Sequence, residues 1–174
     1  MITKIDTDIP SQTNKRIIET LFKTCLWKPA FDDDINNFSI NKPDSGFLMV
    51  TYFNDNVNHT PHEILNVYAT MILDVIQKKS LIRFKGIRRC FWNWYNPSSE
   101  GMYFHQDEFK DNKYSIIYNL HTNDGGTKFR INDEEKFEKS VESEALIFPS
   151  KIYHMGVAPT KDLHRFNLNI IVEI

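Results

Sequence analysis

Residues 103–108 read YFHQDE, a run that holds residue types able to bind a transition metal. A strand is predicted over 102–107, and side chains on a strand alternate between its faces, so His105 and Asp107 are expected to point the same way. An imidazole and a carboxylate on one face supply two of the three ligands of a 2-His-1-carboxylate triad, which leaves positions open for iron(II) chemistry. A buried hydrogen-bonded pair without metal is the alternative.

The third ligand must come from a histidine elsewhere in the chain, and His154 has the most suitable surroundings. It follows the apolar run 145–148 and the corner 149–151, which places it at the start of a strand that can return to the first two ligands. A histidine at a surface corner is the alternative. The other histidines have less suitable surroundings. His59 and His62 stand at a helix entrance, and His121 stands beside a turn. His164 is next to Arg165 and should face the opposite way.

Arg165 is the fourth candidate, and it begins a terminal strand predicted over 165–173. An arginine that points into a sandwich interior needs a partner. Its planar guanidinium suits a bidentate carboxylate, such as one end of a dicarboxylate co-substrate whose keto-acid end chelates the metal. An exposed strand residue, or an ion pair with a nearby Asp or Glu, is the alternative for Arg165.

Hydrophobic periodicity predicts the elements that must position these residues. Apolar residues at helical spacing predict a first helix over 13–25, and a Thr60-Pro61 start predicts a second helix that continues through Ile76. A strand is predicted over 46–53. Short aromatic or β-branched runs then predict seven further strands: 86–95, 102–107, 113–120, 127–131, 143–149, 152–157 and 165–173.

This pattern predicts a mainly β fold with flanking helices, in which two N-terminal helices back a jelly roll, or double-stranded β-helix, of the cupin-like kind. The acidic run 133–138 is expected to be a solvated loop that borders the site. Trp92 and Trp94 are expected to be core residues.

Length and composition predict one domain over 1–174, with 1–84 as helical and irregular support and 85–174 as the β core that holds the metal site. The 21 basic and 23 acidic residues nearly balance, which gives no reason to expect a nucleic-acid partner. Cys25 and Cys90 match no metal or redox spacing, so reduced thiols and a cytoplasmic location are expected. No signal peptide or membrane span is predicted.

Over residues 85–174 the sequence resembles the iron(II)- and 2-oxoglutarate-dependent dioxygenases, especially the short prolyl-4-hydroxylase-like members. The resemblance depends on an ordered set of motifs: His105-Gln106-Asp107, the hairpin that ends in Gly125-Gly126-Thr127-Lys128-Phe129, Phe148-Pro149 ahead of His154, and Arg165. Any one of these motifs is weak evidence, whereas the set in this order is specific.

The resemblance implies roles for six residues. His105, Asp107 and His154 would bind Fe(II), and Arg165 would anchor 2-oxoglutarate. Two tyrosines stand where family members place residues near the far carboxylate of the co-substrate: Tyr95 and Tyr118. The family usually reads Tyr-Leu where this chain has Tyr118-Asn119-Leu120, so the orientation of Tyr118 departs from the family pattern.

The implied reaction couples the oxidation of 2-oxoglutarate by O2, which releases succinate and CO2, to hydroxylation of a C–H bond. A peptide or protein side chain such as proline is the expected substrate, and a free small molecule is the alternative. A catalytically silent metal- or ligand-binding cupin-type barrel is the alternative from another class. The nucleic-acid demethylating branch is disfavoured because Ile171 stands where its members commonly have a second arginine. The sequence predicts no oligomeric state.

Overall fold

The computed structural model describes residues 2–24, 28–29, 47–53, 63–97 and 103–174. Within these residues the chain forms two helices, α1 (Ser11–Thr24) and α2 (Glu63–Ser80). Both were predicted, and both bury an apolar stripe at helical spacing, because Ile17 and Leu21 of α1 are inaccessible, as are Leu65, Ile72 and Ile76 of α2. The Thr60-Pro61 start predicted for the second helix lies outside the described residues.

The described residues also form ten strands. In chain order they are β1 (Thr3–Asp6), β2 (Lys28–Pro29), β3 (Phe47–Phe53), β4 (Gly86–Tyr95), β5 (Lys113–Asn119), β6 (Gly126–Ile131), β7 (Glu134–Lys139), β8 (Glu144–Pro149), β9 (Tyr153–Val157) and β10 (Arg165–Glu173). Six of the seven strands predicted after Lys85 are present, with small differences at their ends, because each has a continuous apolar or alternating pattern.

Two sequence predictions about strands are wrong. Residues 103–107 form no strand, and His105 makes only an isolated bridge to His154. The acidic run predicted as a loop is instead β7, which pairs with β6. The side chains of β7 are largely exposed because it is an edge strand, and charged residues are favoured at sheet edges. Its charged composition is therefore similar to that of a solvated loop.

The strands form two antiparallel sheets. The major sheet has the order β1-β8-β5-β10-β4-β3-β2, and the minor sheet has the order β7-β6-β9. The long strand β10 lies between β5 and β4, so residues from three strands that are distant in sequence become neighbours. Two sheets backed by helices form a jelly roll, the double-stranded β-helix predicted from the sequence.

The major sheet has two different faces. Its outer face packs against the helices, and the core there includes Trp92, Tyr118 and Phe166. Its inner face meets the minor sheet, where Ile117, Leu146 and Phe148 pack against Phe129. Because side chains alternate along a strand, the parity of a residue decides which of these two environments it enters.

Cys90 is a free, buried thiol on the outer face, whereas Cys25 lies outside the described residues. Burial raises the pKa of the Cys90 thiol, so it is a packing residue and not a nucleophile. In the described part of the chain, neither helix has the length and apolar character needed to cross a membrane.

Candidate metal and co-substrate site

Three predicted metal ligands meet in space. The ligand atoms of His105, Asp107 and His154 all lie within 4.8 Å of one another. Nε2 of His154 lies 3.3 Å from Oδ2 of Asp107, and Nε2 of His105 lies 3.7 Å from Oδ1 of the same carboxylate. Two imidazoles and one carboxylate in this arrangement match the 2-His-1-carboxylate donor set that binds iron(II).

Backbone hydrogen bonds to the start of β9 and to the turn before it hold His105 and Asp107 in place. The amide N–H groups of His105 and His154 each donate to the other's carbonyl oxygen at 2.9 Å. The amide of Asp107 donates to the carbonyl oxygen of Ser150, at 3.0 Å. His105 and Asp107 therefore converge because their segment is anchored to the turn before β9, and not because they share a strand.

Each imidazole is oriented by a backbone carbonyl. Nδ1 of His105 lies 3.0 Å from the carbonyl oxygen of Tyr103, and Nδ1 of His154 lies 2.9 Å from that of Ile152. A carbonyl oxygen only accepts, so Nδ1 bears the hydrogen in both rings and donates it. The neutral tautomer then leaves the Nε2 lone pairs directed at the shared space, as metal-binding histidines require.

The Asp107 carboxylate is held by two further side chains. Arg89 donates from Nη2 to Oδ1 at 2.9 Å, and the Ser115 hydroxyl donates to Oδ2 at 2.6 Å. Burial by itself would raise the pKa of Asp107, but the neighbouring His154, Arg89 and His105 favour the ionised carboxylate and hold its pKa well below its usual value. The carboxylate is therefore ionised and fixed, as a metal ligand must be.

The two histidines differ electrostatically in the metal-free protein. Burial and the neighbouring His154 lower the pKa of His105. Burial also opposes the charged form of His154, but the ionised Asp107 beside it raises the pKa of His154 above its ordinary value. His154 is thus the ligand that pairs most directly with the carboxylate.

Arg165 is an unusual buried cation. It is 1% exposed, and the guanidinium donates from Nη1 to the carbonyl oxygen of Val157 at 3.3 Å and from Nη2 to the Thr127 hydroxyl at 3.2 Å. Nε has no hydrogen-bond partner, and within the described residues no carboxylate pairs with it. A buried charge without a counter-ion is costly, so this interior is suited to an anion.

Tyr95 lines the same interior. Its ring centroid lies 4.9 Å from Cζ of Arg165, and the two residues are paired across β4 and β10. The hydroxyl lies so close to β9 that a Cβ on Gly156 would come within 2.6 Å of it. Burial raises the pKa of Tyr95, although Arg165 opposes the shift. The tyrosine is therefore a neutral hydroxyl beside the buried guanidinium.

Tyr118 lies elsewhere, so its predicted place beside the co-substrate is corrected. Ser115 faces Asp107 on the inner side of β5, and Tyr118, three residues later, faces the opposite side. Its ring packs in the core beneath the helices, and its hydroxyl donates to Oδ1 of Asn14 at 2.7 Å. The extra residue Asn119 occupies the inward position instead, where its Oδ1 accepts from Ser140.

Sequence reasoning missed three polar residues around the site: Arg89, Ser115 and Thr127. Each lies on the inner face of a correctly predicted strand, so alternation counted from Tyr95 would have marked Arg89 as inward. The histidines not chosen as ligands also have structural partners. Trp94 donates from Nε1 to Nδ1 of His164 at 3.0 Å, and Nε2 of His121 lies 2.8 Å from the carbonyl oxygen of His164.

Comparisons with known proteins find similarity only at the level of structure. No protein-family model matches the sequence, and no curated protein matches it either. A prolyl-4-hydroxylase from Pseudomonas putida is 13% identical with a TM-score of 0.67, covering 99% of this chain and 91% of its own.

Two other solved structures are similar to the same extent. A prolyl hydroxylase from Trichoplax adhaerens, in complex with a hypoxia inducible factor peptide fragment, is 13% identical with a TM-score of 0.71, covering 99% of this chain and 83% of its own. A non-heme alpha-ketoglutarate-dependent carbocyclase from nogalamycin biosynthesis is 9% identical with a TM-score of 0.69, covering 99% and 79%. The chain therefore has the fold of these 2-oxoglutarate oxygenase structures.

Proposed function

We propose that this protein is an iron(II)- and 2-oxoglutarate-dependent oxygenase that hydroxylates a C–H bond and releases succinate and CO2. The observation that supports it best is the joint presence of a His-Asp-His cluster and a buried guanidinium without an acidic partner in one interior. Either feature alone has a structural explanation, but together they match the two ends of a chelating dicarboxylate.

The residues fit the metal. The ligands His105, Asp107 and His154 provide two neutral nitrogens and one anionic oxygen on one side of the shared space. Arg89 and Ser115 donate hydrogen bonds to Asp107, which fix the carboxylate and keep it ionised. Outer partners of this kind orient metal ligands and strengthen metal binding.

The residues also fit the co-substrate. Arg165 and the Thr127 hydroxyl offer donors for a distant carboxylate, and Tyr95 closes one side of that pocket. His154 and Gly156 are two residues apart on β9, which separates the metal ligand from the Tyr95 pocket by about 7 Å along the strand. That spacing suits a five-carbon dicarboxylate that bridges the two ends.

Bound iron and 2-oxoglutarate would supply, with O2, an oxidant able to remove hydrogen from a C–H bond. The three ligand residues would hold the metal and Arg165 would hold the co-substrate, while Phe129 and Phe148 line the interior. These aromatic rings pack against His154 and exclude water from behind the ligand.

A peptide or protein side chain such as proline is our first proposal for the substrate. Tyr103 and Phe109, on either side of the His105–Asp107 pair, are 69% and 79% exposed. Exposed aromatic residues beside a site favour the binding of an extended partner. The similarity to a prolyl hydroxylase that binds a peptide fragment supports the same choice.

A free small molecule is the second candidate, because the carbocyclase of nogalamycin biosynthesis has a comparable TM-score of 0.69. A silent cupin-type barrel is less compatible with the site, because a barrel without a ligand gains nothing from a buried, unpaired Arg165.

Anaerobic titration with Fe(II) and 2-oxoglutarate tests the proposal. We expect a weak visible absorption band from the chelate, followed by succinate formation when O2 is admitted. His154→Ala should abolish both signals, because it removes one ligand of the cluster. His164→Asn is the matched control, since an amide oxygen can replace Nδ1 as acceptor for Trp94. Full turnover by the His154→Ala protein would contradict the proposal.

A further inference from the structure

Arg89 and Asn169 lie on neighbouring strands of the major sheet and face its interior. The register pairs Arg89 with Ile171 and Phe91 with Asn169, so Arg89 and Asn169 are diagonal neighbours on one face. Asn169 points to the same face as Arg165, because the two are four residues apart on β10 and the only irregularity in its pairing with β4 falls after Ile171. Arg89 already reaches Asp107 from this face.

Both side chains have a buried polar atom without a hydrogen-bond partner. The atoms are Nε of Arg89, a donor, and Oδ1 of Asn169, an acceptor. Asn169 is 7% exposed, and among the described residues nothing satisfies its amide oxygen. An unsatisfied buried polar atom destabilises a fold, and two complementary ones on the same face of neighbouring strands therefore indicate a ligand that binds to both.

We propose that Arg89 and Asn169 together bind a substrate group that has a hydrogen-bond acceptor and a donor side by side, namely an amide. Nε–H of Arg89 donates to the amide oxygen, and Oδ1 of Asn169 accepts from the amide N–H. This inference rests on the proposed oxygenase function. It names the substrate class, a molecule that carries an amide, and the two residues that recognise it. Because Nη2 of Arg89 stays on Asp107, the pair also positions the substrate relative to a metal ligand.

An anionic group fits this pair less well than an amide. The charge of Arg89 is already balanced by Asp107, with which it forms an ion pair at 2.9 Å. The Asn169 oxygen would repel a carboxylate. Arg165, which has no acidic partner among the described residues, is the cation available to an anion. The two arginines of the interior therefore have different ligands.

Three small probes of similar shape test the proposal by proton NMR. The protein is loaded with Mn(II) and 2-oxoglutarate, so that any molecule near the metal shows faster proton relaxation. N-methylacetamide offers both a donor and an acceptor, methyl acetate offers only an acceptor, and propionate is an anion. We expect the wild-type protein to relax N-methylacetamide most strongly.

Two variants and one control assign the effect to the pair. Asn169→Leu removes the amide at similar volume, and Arg89→Lys keeps the charge beside Asp107 but removes Nε. Each should weaken the N-methylacetamide effect roughly tenfold, the factor expected for losing one hydrogen bond to a charged or buried group. Arg88→Lys, on a residue that pairs with Glu173, should leave it unchanged.

Asn169→Leu should also unfold at the same temperature as wild type or higher, because an apolar group replaces an unsatisfied polar one. This result separates loss of binding from loss of folding. Equal relaxation of methyl acetate, preference for propionate, or unchanged binding by both variants would overturn the amide assignment. If wild-type protein fails to relax the protons of 2-oxoglutarate itself, the proposed oxygenase function is wrong.

Discussion

Nε2 of His154 lies 3.3 Å from Oδ2 of Asp107, although Asp107 precedes β5 and His154 belongs to β9. The contact exists because the Asp107 amide is bonded to the carbonyl of Ser150 in the turn that leads into β9. One backbone hydrogen bond thus aligns the carboxylate, which belongs to neither sheet, with a histidine of the minor sheet. The site depends on the closure of the two sheets on each other.

Replacing Arg165 should separate co-substrate binding from metal binding. Arg165→Met is expected to abolish stabilisation by 2-oxoglutarate while Mn(II) binding persists, because the guanidinium lies outside the metal cluster. The free energy of unfolding of the wild-type protein should rise by about 2.7 kcal/mol when 2-oxoglutarate is present at a hundred times its Kd. Thermal unfolding with and without 2-oxoglutarate measures this difference.

Without ligand, Arg165→Met should lose at most about 1 kcal/mol in the free energy of unfolding relative to wild type, because the substitution removes an unpaired buried charge. Arg130→Met, which removes an exposed pair with Glu135, is the control and should keep the response to 2-oxoglutarate. A normal response from Arg165→Met would show that the anchor has been misassigned.

Gly156 is expected to tolerate no side chain. A Cβ there would lie 2.6 Å from the Tyr95 hydroxyl, so Gly156→Ala must displace the ring from Arg165. We expect a loss of about 1–3 kcal/mol in the free energy of unfolding, as for overpacked interiors, together with weaker 2-oxoglutarate binding. Gly86→Ala is the matched control, because nothing lies within 4 Å of its added Cβ. Chemical denaturation of both proteins makes the comparison, and equal stabilities would contradict the close approach.

Tyr118 should affect stability but not the site. Tyr118→Phe leaves the buried Oδ1 of Asn14 without its partner, which is expected to cost about 1–3 kcal/mol. Its affinity for 2-oxoglutarate should match that of wild type, whereas Tyr95→Phe should weaken that affinity. Denaturant titrations and 2-oxoglutarate binding measured on both variants test the contrast. Weaker co-substrate binding by Tyr118→Phe would restore the role suggested by the family resemblance.

Asp124 should make stability depend on pH. Its carboxylate accepts from the side chain and amide of Thr160 and from the amides of Lys161 and Asp162, which holds its pKa well below the ordinary 3.8. A lowered folded pKa stabilises the fold above the ordinary value, and this stabilisation is lost as the pH falls toward the folded pKa.

Asp124→Asn should therefore unfold at a lower temperature than wild type at neutral pH, and the difference should narrow below a pH of about 3.8. Asp74→Asn, on an exposed position of α2, is the control for removing a surface carboxylate. Calorimetry over a pH series measures both. A difference that stays constant with pH would show that the charge of Asp124 is not involved.

Local pattern determined a large part of the fold. Apolar spacing predicted both helices and most strands after Lys85, because these elements bury continuous or alternating apolar faces. Residues 103–107 were wrongly predicted to be part of a strand. Their aromatic residues are typical of strands, but apart from the isolated bridge between His105 and His154 this segment pairs with no strand among the described residues. Strand β7 was missed because an edge strand need not be apolar.

The sequence by itself determined which residue types are available and in what order: His105, Asp107, His154 and Arg165. Their spacing along the chain indicated a chemistry, and the family resemblance added Tyr95. Tertiary structure alone decided that Arg89 and Ser115 hold Asp107, that Arg165 lacks an acidic partner among the described residues, and that Tyr118 faces the helices. The reason is physical: alternation sets two possible faces for a strand, but only sheet pairing and burial decide what each face meets.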